Sequence, residues 1–161
     1  MKIADADISS QAFIFAAIHF LANRMQVLGD RIDPTVSGKQ WFVLAVISKF
    51  ESAPPNIGDV AAVLGTSRQN IKKMALILER HGFLRLEKDP RDLRNIRLHL
   101  TEQCYSYFKG REQQEDAYLE GIFAGMDGEM LDTLRSGMNK LIENMDTLLK
   151  TGINIQSGMK P

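Results

Sequence analysis

Residues 66–100 join a basic amphipathic segment to a short hairpin, and this succession constrains the fold more than any other part of the chain. Apolar residues recur there at helical spacing, at Ile71, Met74, Ile77 and Leu78. Basic and amide side chains crowd the first turns of the same segment, so a buried face and a charged face are separated. After Gly82, two alternating runs, residues 83–88 and 95–100, flank a polar turn over residues 89–94. A helix followed by such a hairpin predicts a winged helix-turn-helix.

The segments before this region predict three further helices. The first covers about residues 9–28 and is almost entirely apolar in its first half, which indicates burial on more than one side. A second helix begins at Ser37, whose spacing to Gln40 matches a capping box. Asn56 then caps a short third helix, and Gly65 supplies the turn into the basic helix.

The segments after the hairpin predict two long helices. Thr101 caps a fifth helix that reaches about Met126, and Asp127 caps a sixth. In the sixth helix apolar residues alternate steps of three and four, at Leu131, Leu134, Met138, Leu141, Met145 and Leu148. Such a heptad seam normally packs against another helix, either within the subunit or across a dimer, and we favour a dimer to which the first and sixth helices both contribute. The remaining residues, 151–161, are expected to form a frayed tail.

Length and composition favour one soluble domain. At 161 residues the chain is long enough to bury roughly two-thirds of its unfolded surface, so we expect a single domain over residues 1–161. The longest apolar run, residues 12–22, contains His19 and is shorter than the ~20 residues that a bilayer span requires. No basic leader precedes this run, which argues against a secretion signal. A cytoplasmic protein without membrane association is expected.

The formal net charge of zero conceals a segregation of charge along the chain. Residues 68–97 contain nine Lys or Arg against four acids, a balance of +5. Residues 112–146 contain nine acids against two basic residues, a balance of −7. One part of the molecule can therefore face phosphate while another repels it, although a basic helix alone is as often a solvated face.

Two motifs resemble a known family. The wing sequence Asp-Pro-Arg-Asp-Leu-Arg, residues 89–94, fits the D-x-R-D-x-R pattern of the MarR family of bacterial transcriptional regulators, and Leu-Thr-Glu follows at residues 100–102. The segment from Ile77 to Leu84 is similar to the family's L-E-x-x-G-L stretch between recognition helix and wing. The resemblance covers about residues 9–150.

This resemblance implies a fold and a function. The fold would be mostly α (α+β), with a winged helix-turn-helix over about residues 35–100 and dimerisation helices over 9–30 and 101–150. The function would be that of a homodimeric, sequence-specific regulator of transcription, usually a repressor, on double-stranded DNA with a pseudo-palindromic operator. Many members of the family are released from DNA by a small ligand bound between the dimer helices and the winged domain.

The resemblance also assigns DNA contacts to the recognition helix and the wing. The expected contacts are Ser67, Arg68, Gln69, Asn70, Lys72, Lys73, Arg91 and Arg94. The last arginine of the wing, Arg94, would lie in or beside the minor groove. Asp92 would orient a neighbouring arginine through a bidentate contact.

Within the recognition helix, side-chain chemistry distinguishes residues expected to contact bases (the readers) from residues expected to contact phosphates. Arg suits guanine and Asn suits adenine, so Arg68 and Asn70 are favoured as readers. Gln69 stays open, because Thr66 and Gln69 have the spacing of a capping box and a side chain folded back on its helix cannot contact a base. The flexible Lys72 and Lys73 are expected to contact phosphates.

An effector pocket is a second candidate site. Aromatic and basic side chains of the first two helices could line an apolar cleft beside the fifth: Phe13, His19, Phe20, Arg24, Trp41 and Phe42. Aromatic stripes at helical spacing are more often part of a core than of a pocket. An effector held there would be a largely apolar small molecule, and an anionic one would be anchored by Arg24 or His19.

The remaining chemistry predicts no enzyme and no cofactor. Cys104 is the only cysteine, so no disulfide can form within the chain, and it is expected to be a small buried side chain. The histidines His19, His81 and His99 are far apart and lack the companions of a metal site. No nucleophile with a nearby base and no phosphate loop is visible. The alternative to a DNA-binding regulator is a winged-helix module whose basic face serves protein assembly.

Overall fold

The computed structural model describes residues 8–33 and 35–152 as six helices and one two-stranded hairpin. The elements are α1 (Ser10–Ile32), α2 (Gly38–Ile47), α3 (Ile57–Val63), α4 (Arg68–Arg80), β1 (Leu84–Asp89), β2 (Asp92–Leu100), α5 (Glu102–Ile122) and α6 (Gly128–Thr151). This order confirms the expected mostly α fold with a winged helix-turn-helix. Most of the tail expected over residues 151–161 lies outside the described residues.

Local capping bonds fix the starts of most helices. The Ser37 side chain accepts from the backbone N–H of Gln40 while the Gln40 side chain accepts from that of Ser37, so the predicted capping box is confirmed. Asn56 caps α3, and Asp127 caps α6 by accepting from the N–H of Met130. Thr101 caps α5 through the N–H of Cys104, 3.2 Å from its Oγ1.

The helix ends differ from those expected. α1 continues to Ile32 rather than ending near Leu28, and α5 ends at Ile122 rather than near Met126. The turn after α5 contains Gly125 at a φ of +81°, a conformation that glycine adopts without steric penalty. The apolar pattern of the sequence continues through this turn and therefore does not mark where the helix stops.

The wing is a tighter hairpin than the sequence indicated. β1 pairs antiparallel with β2, with Leu84 opposite Leu100, and only the two residues Pro90 and Arg91 lie between the strands. The turn expected over residues 89–94 is therefore too long, because Asp92 already pairs with Asp89 and Arg94 lies within β2. The charged composition of this stretch concealed its pairing.

The hydrophobic core lies beneath α4, where the winged elements meet. Fully buried side chains come from α2, α4, β2 and α5, including Leu44, Ile71, Leu78, Leu98 and Cys104. The backbone N–H of Leu98 also donates to the carbonyl of Pro55, which ties β2 to the segment before α3. The positions of α4 and of the wing are thus set by one shared core.

α1 and α6 are apolar but unburied in the single chain. No residue of either helix is buried, and both helices are described in full. By length and mean hydropathy, 1.3, α1 alone among the described helices could cross a membrane, a test that the core helix of a soluble protein also passes. The contacts of the chain divide it into two compact units, residues 1–114 and 115–161.

Candidate nucleic-acid interface

The amino end of α4 carries the predicted contacts, and its cap differs from the one expected. Ser67 is the N-cap, and its Oγ accepts from the backbone N–H of Asn70 at 3.2 Å. The side-chain amide of Asn70 donates to Oγ1 of Thr66 at 3.0 Å. The expected capping box between Thr66 and Gln69 is therefore wrong. Two adjacent hydroxyl residues could each cap this helix, and the sequence did not distinguish them.

Arg68 lies at the junction of α4 with α3. A Cβ atom placed on Gly58 would lie 3.2 Å from Nε of Arg68 and 2.9 Å from Oδ1 of Asn56. The guanidinium thus occupies space that only a glycine leaves open beside the α3 cap. The sequence contained no signal for this neighbour, ten positions before Arg68.

Two open grooves flank the exposed face of α4. One, of about 600 Å³, runs along α4 and is lined by residues that include Asn70, Lys73 and Arg80. The other, of about 260 Å³, lies between the amino ends of α3 and α4 and the strand β2, and Arg68 and Arg94 both line it. Gln69 and Lys72 line both grooves and therefore form the ridge between them. Most of the predicted contacts share this surface.

Arg91 and Arg94 are exposed in the wing. Neither guanidinium has a hydrogen bond or an ion pair with another described residue, and each backbone N–H donates to an aspartate two positions earlier. Arg94 reaches the smaller groove beside α4, whereas Arg91 lies in the hairpin turn and lines neither of the two grooves. Both side chains are available to an anionic partner.

A clamp between Asp89 and Arg97 holds the base of the wing, and the sequence did not reveal it. Oδ2 of Asp89, whose side chain is 7% exposed, accepts from Nε of Arg97 at 2.8 Å and from Nη2 at 2.6 Å. Nη1 of Arg97 donates to the carbonyl of Pro54 at 2.9 Å, so the same guanidinium ties the wing to the segment before α3. The N–H of Arg91 and the side chain of Arg97 hold the pKa of Asp89 below its usual value.

The role expected of Asp92 belongs to Asp89. Asp92 accepts from the backbone N–H of Arg94 and from the side chain of Asn95, and both are turn contacts. No guanidinium of the residues that the structure describes bonds to it. The expectation that Asp92 orients an arginine is therefore wrong. The tighter hairpin places Arg97 opposite Glu87, two residues before Asp89, and its guanidinium bonds to Asp89 instead.

A second buried charge cluster links α5 to the loop before α2. Nη1 of Arg111 donates to Oδ2 of Asp33 at 2.7 Å and to the hydroxyl of Tyr107 at 2.6 Å. The Tyr107 hydroxyl donates to the same Asp33 oxygen at 2.9 Å. Burial raises the pKa of Asp33, but the hydrogen bonds from Thr35 and Tyr107 outweigh it and leave the pKa below its usual value. No local pattern predicts a pair 78 residues apart.

The structure separates the residues predicted for an effector pocket into an exposed set and a packed one. Phe13 and Phe42 are 44% and 55% exposed, whereas Trp41 packs against the winged core. The basic side chains rest on their own helix: Nδ1 of His19 lies 2.9 Å from the Phe15 carbonyl oxygen, and the Arg24 guanidinium lies 4.2 Å from the centre of the Phe20 ring.

Cys104 is the small buried side chain that the sequence indicated. It is 0% exposed, and burial raises the pKa of its thiol to about 11. A thiol in this state is a poor nucleophile at neutral pH. Among the residues that the structure describes, no group of three or more His, Cys, Asp or Glu side chains is placed to hold a metal ion.

The fold and the basic face of α4 define a winged-helix protein. No protein-family model matches the chain. It is 22% identical over 99 residues to the transcriptional repressor MprA of Escherichia coli K12, and the match covers 62% of this chain and 56% of that protein. The matched region thus spans about half the length of this curated relative.

Solved structures identify the fold further. A MarR/EmrR family transcriptional regulator from Acinetobacter sp. ADP1 matches with a TM-score of 0.75 at 16% identity, over 87% of this chain and 99% of that one. FabT of Streptococcus pneumoniae, solved in complex with DNA, matches with a TM-score of 0.63 at 19% identity, over the same shares. The chain therefore has the fold of the MarR regulators, as its wing motif indicated. The matched proteins are regulators and not enzymes.

Proposed function

We propose that this chain is a MarR-type regulator of transcription that binds double-stranded DNA in a sequence-specific manner. The observation that carries the proposal is the surface on which Arg68, Gln69 and Lys72 meet Arg94 of the wing across one groove. A recognition helix enters the major groove while an adjacent wing follows the backbone or minor groove, and this surface has that arrangement. The DNA complex of FabT, which shares the fold, supports the same use of it.

We assign different tasks to the basic side chains of this surface. Lys72 and Lys73 are exposed on the helix and contact phosphates as point charges. Arg94 enters or borders the minor groove, and Arg91 contacts the backbone beside it. Ser67 sets the start of α4, so its own contribution to DNA binding lies in presenting the first turn to the groove.

The protein is proposed to act as a homodimer. α1 exposes large apolar side chains such as Phe15 at 68%, and α6 exposes its heptad seam, with Leu134 at 40% and Leu141 at 38%. Apolar faces of this extent on a soluble protein mark an interface. In a homodimer, the same helix of a second copy would cover each apolar face, which would explain why both faces are exposed in the single chain. It would also explain the high hydropathy of α1 without a membrane. A cytoplasmic location follows from this use.

Repression is proposed from the sequence relative, and release by a small ligand is proposed from the aromatic residues of α1 and α2. MprA is named a transcriptional repressor. Phe13 and Phe42 are exposed enough to receive an apolar group, with Arg24 and His19 as candidates for contact with an anion. Titration of aromatic acids such as salicylate into the protein–operator complex tests the idea. Binding without a change in operator affinity contradicts it.

Salt dependence separates DNA binding from the alternative of a protein-assembly module. Genomic fragments that the protein retains would be selected, and their affinity measured by fluorescence anisotropy from 50 to 300 mM salt. Counterion release predicts that the logarithm of affinity falls steeply with that of salt, with a slope of about −0.9 for each phosphate contacted. Lys73→Ala in a dimer should reduce the slope by about 2 and weaken all sequences alike. A flat salt response contradicts the proposed function.

A further inference from the structure

We propose that Gln69 recognises adenine in the operator, and that its neighbour Asn70 is a positioning residue that makes no base-specific contact. The proposal rests on the proposed function and deepens it, because it assigns sequence preference to one side chain of α4. It reverses the expectation drawn from the sequence, in which Asn70 was favoured and Gln69 was left open.

Asn70 is held by the protein at both its backbone and its side chain. Its backbone N–H donates to Oγ of Ser67, and Nδ2 donates to Oγ1 of Thr66. An asparagine that recognises adenine presents Nδ2 and Oδ1 together, in one plane, to N7 and N6 of the base. The bond to Thr66 fixes that plane through a protein contact, so reorienting the amide toward a base would cost the bond to Thr66. A side chain bonded back to its own helix start competes poorly for a base.

Gln69 has the freedom that Asn70 lacks. Its side chain is exposed and makes no hydrogen bond to another described residue, since the cap of α4 is supplied by Ser67. It lies on the ridge between the two grooves of the basic face, whereas Asn70 lines only the larger one. A ridge is the part of a convex surface that enters a concave partner first, and the major groove is such a partner.

The neighbours of Gln69 complete the contact. Lys72 lies one turn further along α4 and lines the same two grooves, so both side chains face one strip of DNA. A phosphate contact from Lys72 would fix the register of the helix, and the amide of Gln69 has the donor and the acceptor that adenine N7 and N6 require. Glutamate at the same position would present acceptors alone, which suit the amino group of cytosine.

The test is selection of bound sites from a DNA library randomised across the operator, with the wild-type protein and its variants at Gln69, Asn70 and Thr66. Gln69→Ala should lower the preference for adenine at one symmetric position of the site by about 5- to 150-fold, while the other positions keep theirs. Gln69→Glu should shift that position toward cytosine, which a merely structural role for Gln69 would not produce. Thermal unfolding should show all variants folded, since both side chains are exposed.

Asn70→Ala is the matched variant and should weaken every sequence by a similar factor without altering any base preference. Thr66→Val removes the acceptor of the Asn70 amide and should reproduce that uniform loss, and the double variant should lose no more than either single one. Two outcomes would overturn the inference and leave the proposed function intact. One is a relaxed base preference in Asn70→Ala, and the other is an unchanged base preference in Gln69→Ala together with the DNA affinity of the wild type. Failure of the wild-type protein to retain any DNA overturns both.

Discussion

At the scale of single residues, the wing depends on one buried carboxylate. Asp89 receives the backbone N–H of Arg91 on one oxygen and the guanidinium of Arg97 on the other, and Arg97 in turn holds the carbonyl of Pro54. Charge-assisted hydrogen bonds of this kind are the strong ones. Arg91 and Arg94 are thus carried on a hairpin whose base is fixed, so less ordering would remain to be completed in the proposed complex with DNA.

The pH dependence of stability should report this clamp. The pKa of Asp89 lies below its ordinary 3.8 in the folded protein, so its contribution is fully present above that value and is lost as the pH falls through the lower folded pKa. Wild type should therefore be more stable than Asp89→Asn from pH 7 down to about 4, and the difference should shrink at lower pH. Thermal unfolding of both proteins from pH 2.5 to 7 measures it. A difference that stays constant across this range contradicts the assignment.

Gly58 is a second residue on which the surface depends. A Cβ at this position would meet the Asn56 cap and the Arg68 guanidinium, so the usual gain of alanine over glycine in a helix, about 0.5 to 1 kcal/mol, should be lost. Gly110→Ala in α5, where a Cβ meets nothing within 4 Å, is the control and should show that gain. Chemical denaturation compares the two. Equal stabilisation by both substitutions would show that Arg68 is not held beside Gly58.

At the scale of elements, most helix starts were predictable, whereas the ends of α1 and α5 were not. A cap involves residues three positions apart, so Ser37, Asn56, Thr101 and Asp127 could be recognised from the sequence. The end of α1 depends instead on Asp33, which bonds to the backbone of Thr35 and to Arg111 of α5. A boundary set by a distant partner leaves no mark in the neighbouring residues.

At the candidate site, too, the sequence indicated the elements but not the contacts that depend on three-dimensional geometry. The composition of α4 and the wing motif were enough to predict which elements carry the basic surface. They did not reveal which side chain of α4 is free, because Thr66 and Ser67 are chemically alike as caps and only the geometry selects Ser67. They did not reveal the clamp of Arg97 either, since a strand pairing decides which of the wing arginines meets Asp89.

The cluster around Arg111 should dominate the attachment of α5 to the loop before α2. Arg111 is 9% exposed, and removing Asp33 takes from this buried cluster the carboxylate that accepts from both Arg111 and Tyr107, a loss of up to roughly 3 to 5 kcal/mol. Asp33→Ala should lower the free energy of unfolding by about that amount, and urea denaturation measures it.

Asp132→Ala is the matched control for this prediction. Its partner Arg135 is 76% exposed, and the loss should stay within about 1 kcal/mol. The double variant of Asp33→Ala with Arg111→Met should recover part of the loss, because the buried charge that lost Asp33 is then removed as well. A loss in Asp33→Ala no larger than in the control would show that the cluster contributes nothing beyond a surface pair.

At the scale of the whole molecule, the apolar surface of α6 is left exposed to water in a single chain. Its seam residues are more than a third exposed at Leu131, Leu134, Leu141, Met145 and Leu148. Leaving such side chains in water forfeits roughly 25 cal/mol for each Å² that a partner would cover. A second copy of the chain offers the same seam, and a two-fold axis allows one face to cover the other. The dimer would also present two copies of α4 to the two half-sites of a palindrome.

A charge placed in the seam distinguishes the dimer from the single chain. In a monomer, Leu141→Lys would set its ammonium in water, because Leu141 is 38% exposed there, and stability would hardly change. In a dimer the same charge is buried without a partner, and a cost of about 3 kcal/mol or more weakens dimerisation by at least about 100-fold. Sedimentation at micromolar concentration should show the wild-type protein at twice the mass of one chain and Leu141→Lys at the mass of one chain.

The control is Asn139→Lys, one residue away from the seam residue Met138, which should remain dimeric. Because a monomer contacts only one half-site, operator affinity should fall together with dimerisation in Leu141→Lys. A wild-type monomer that still binds operator with full affinity would refute the dimer.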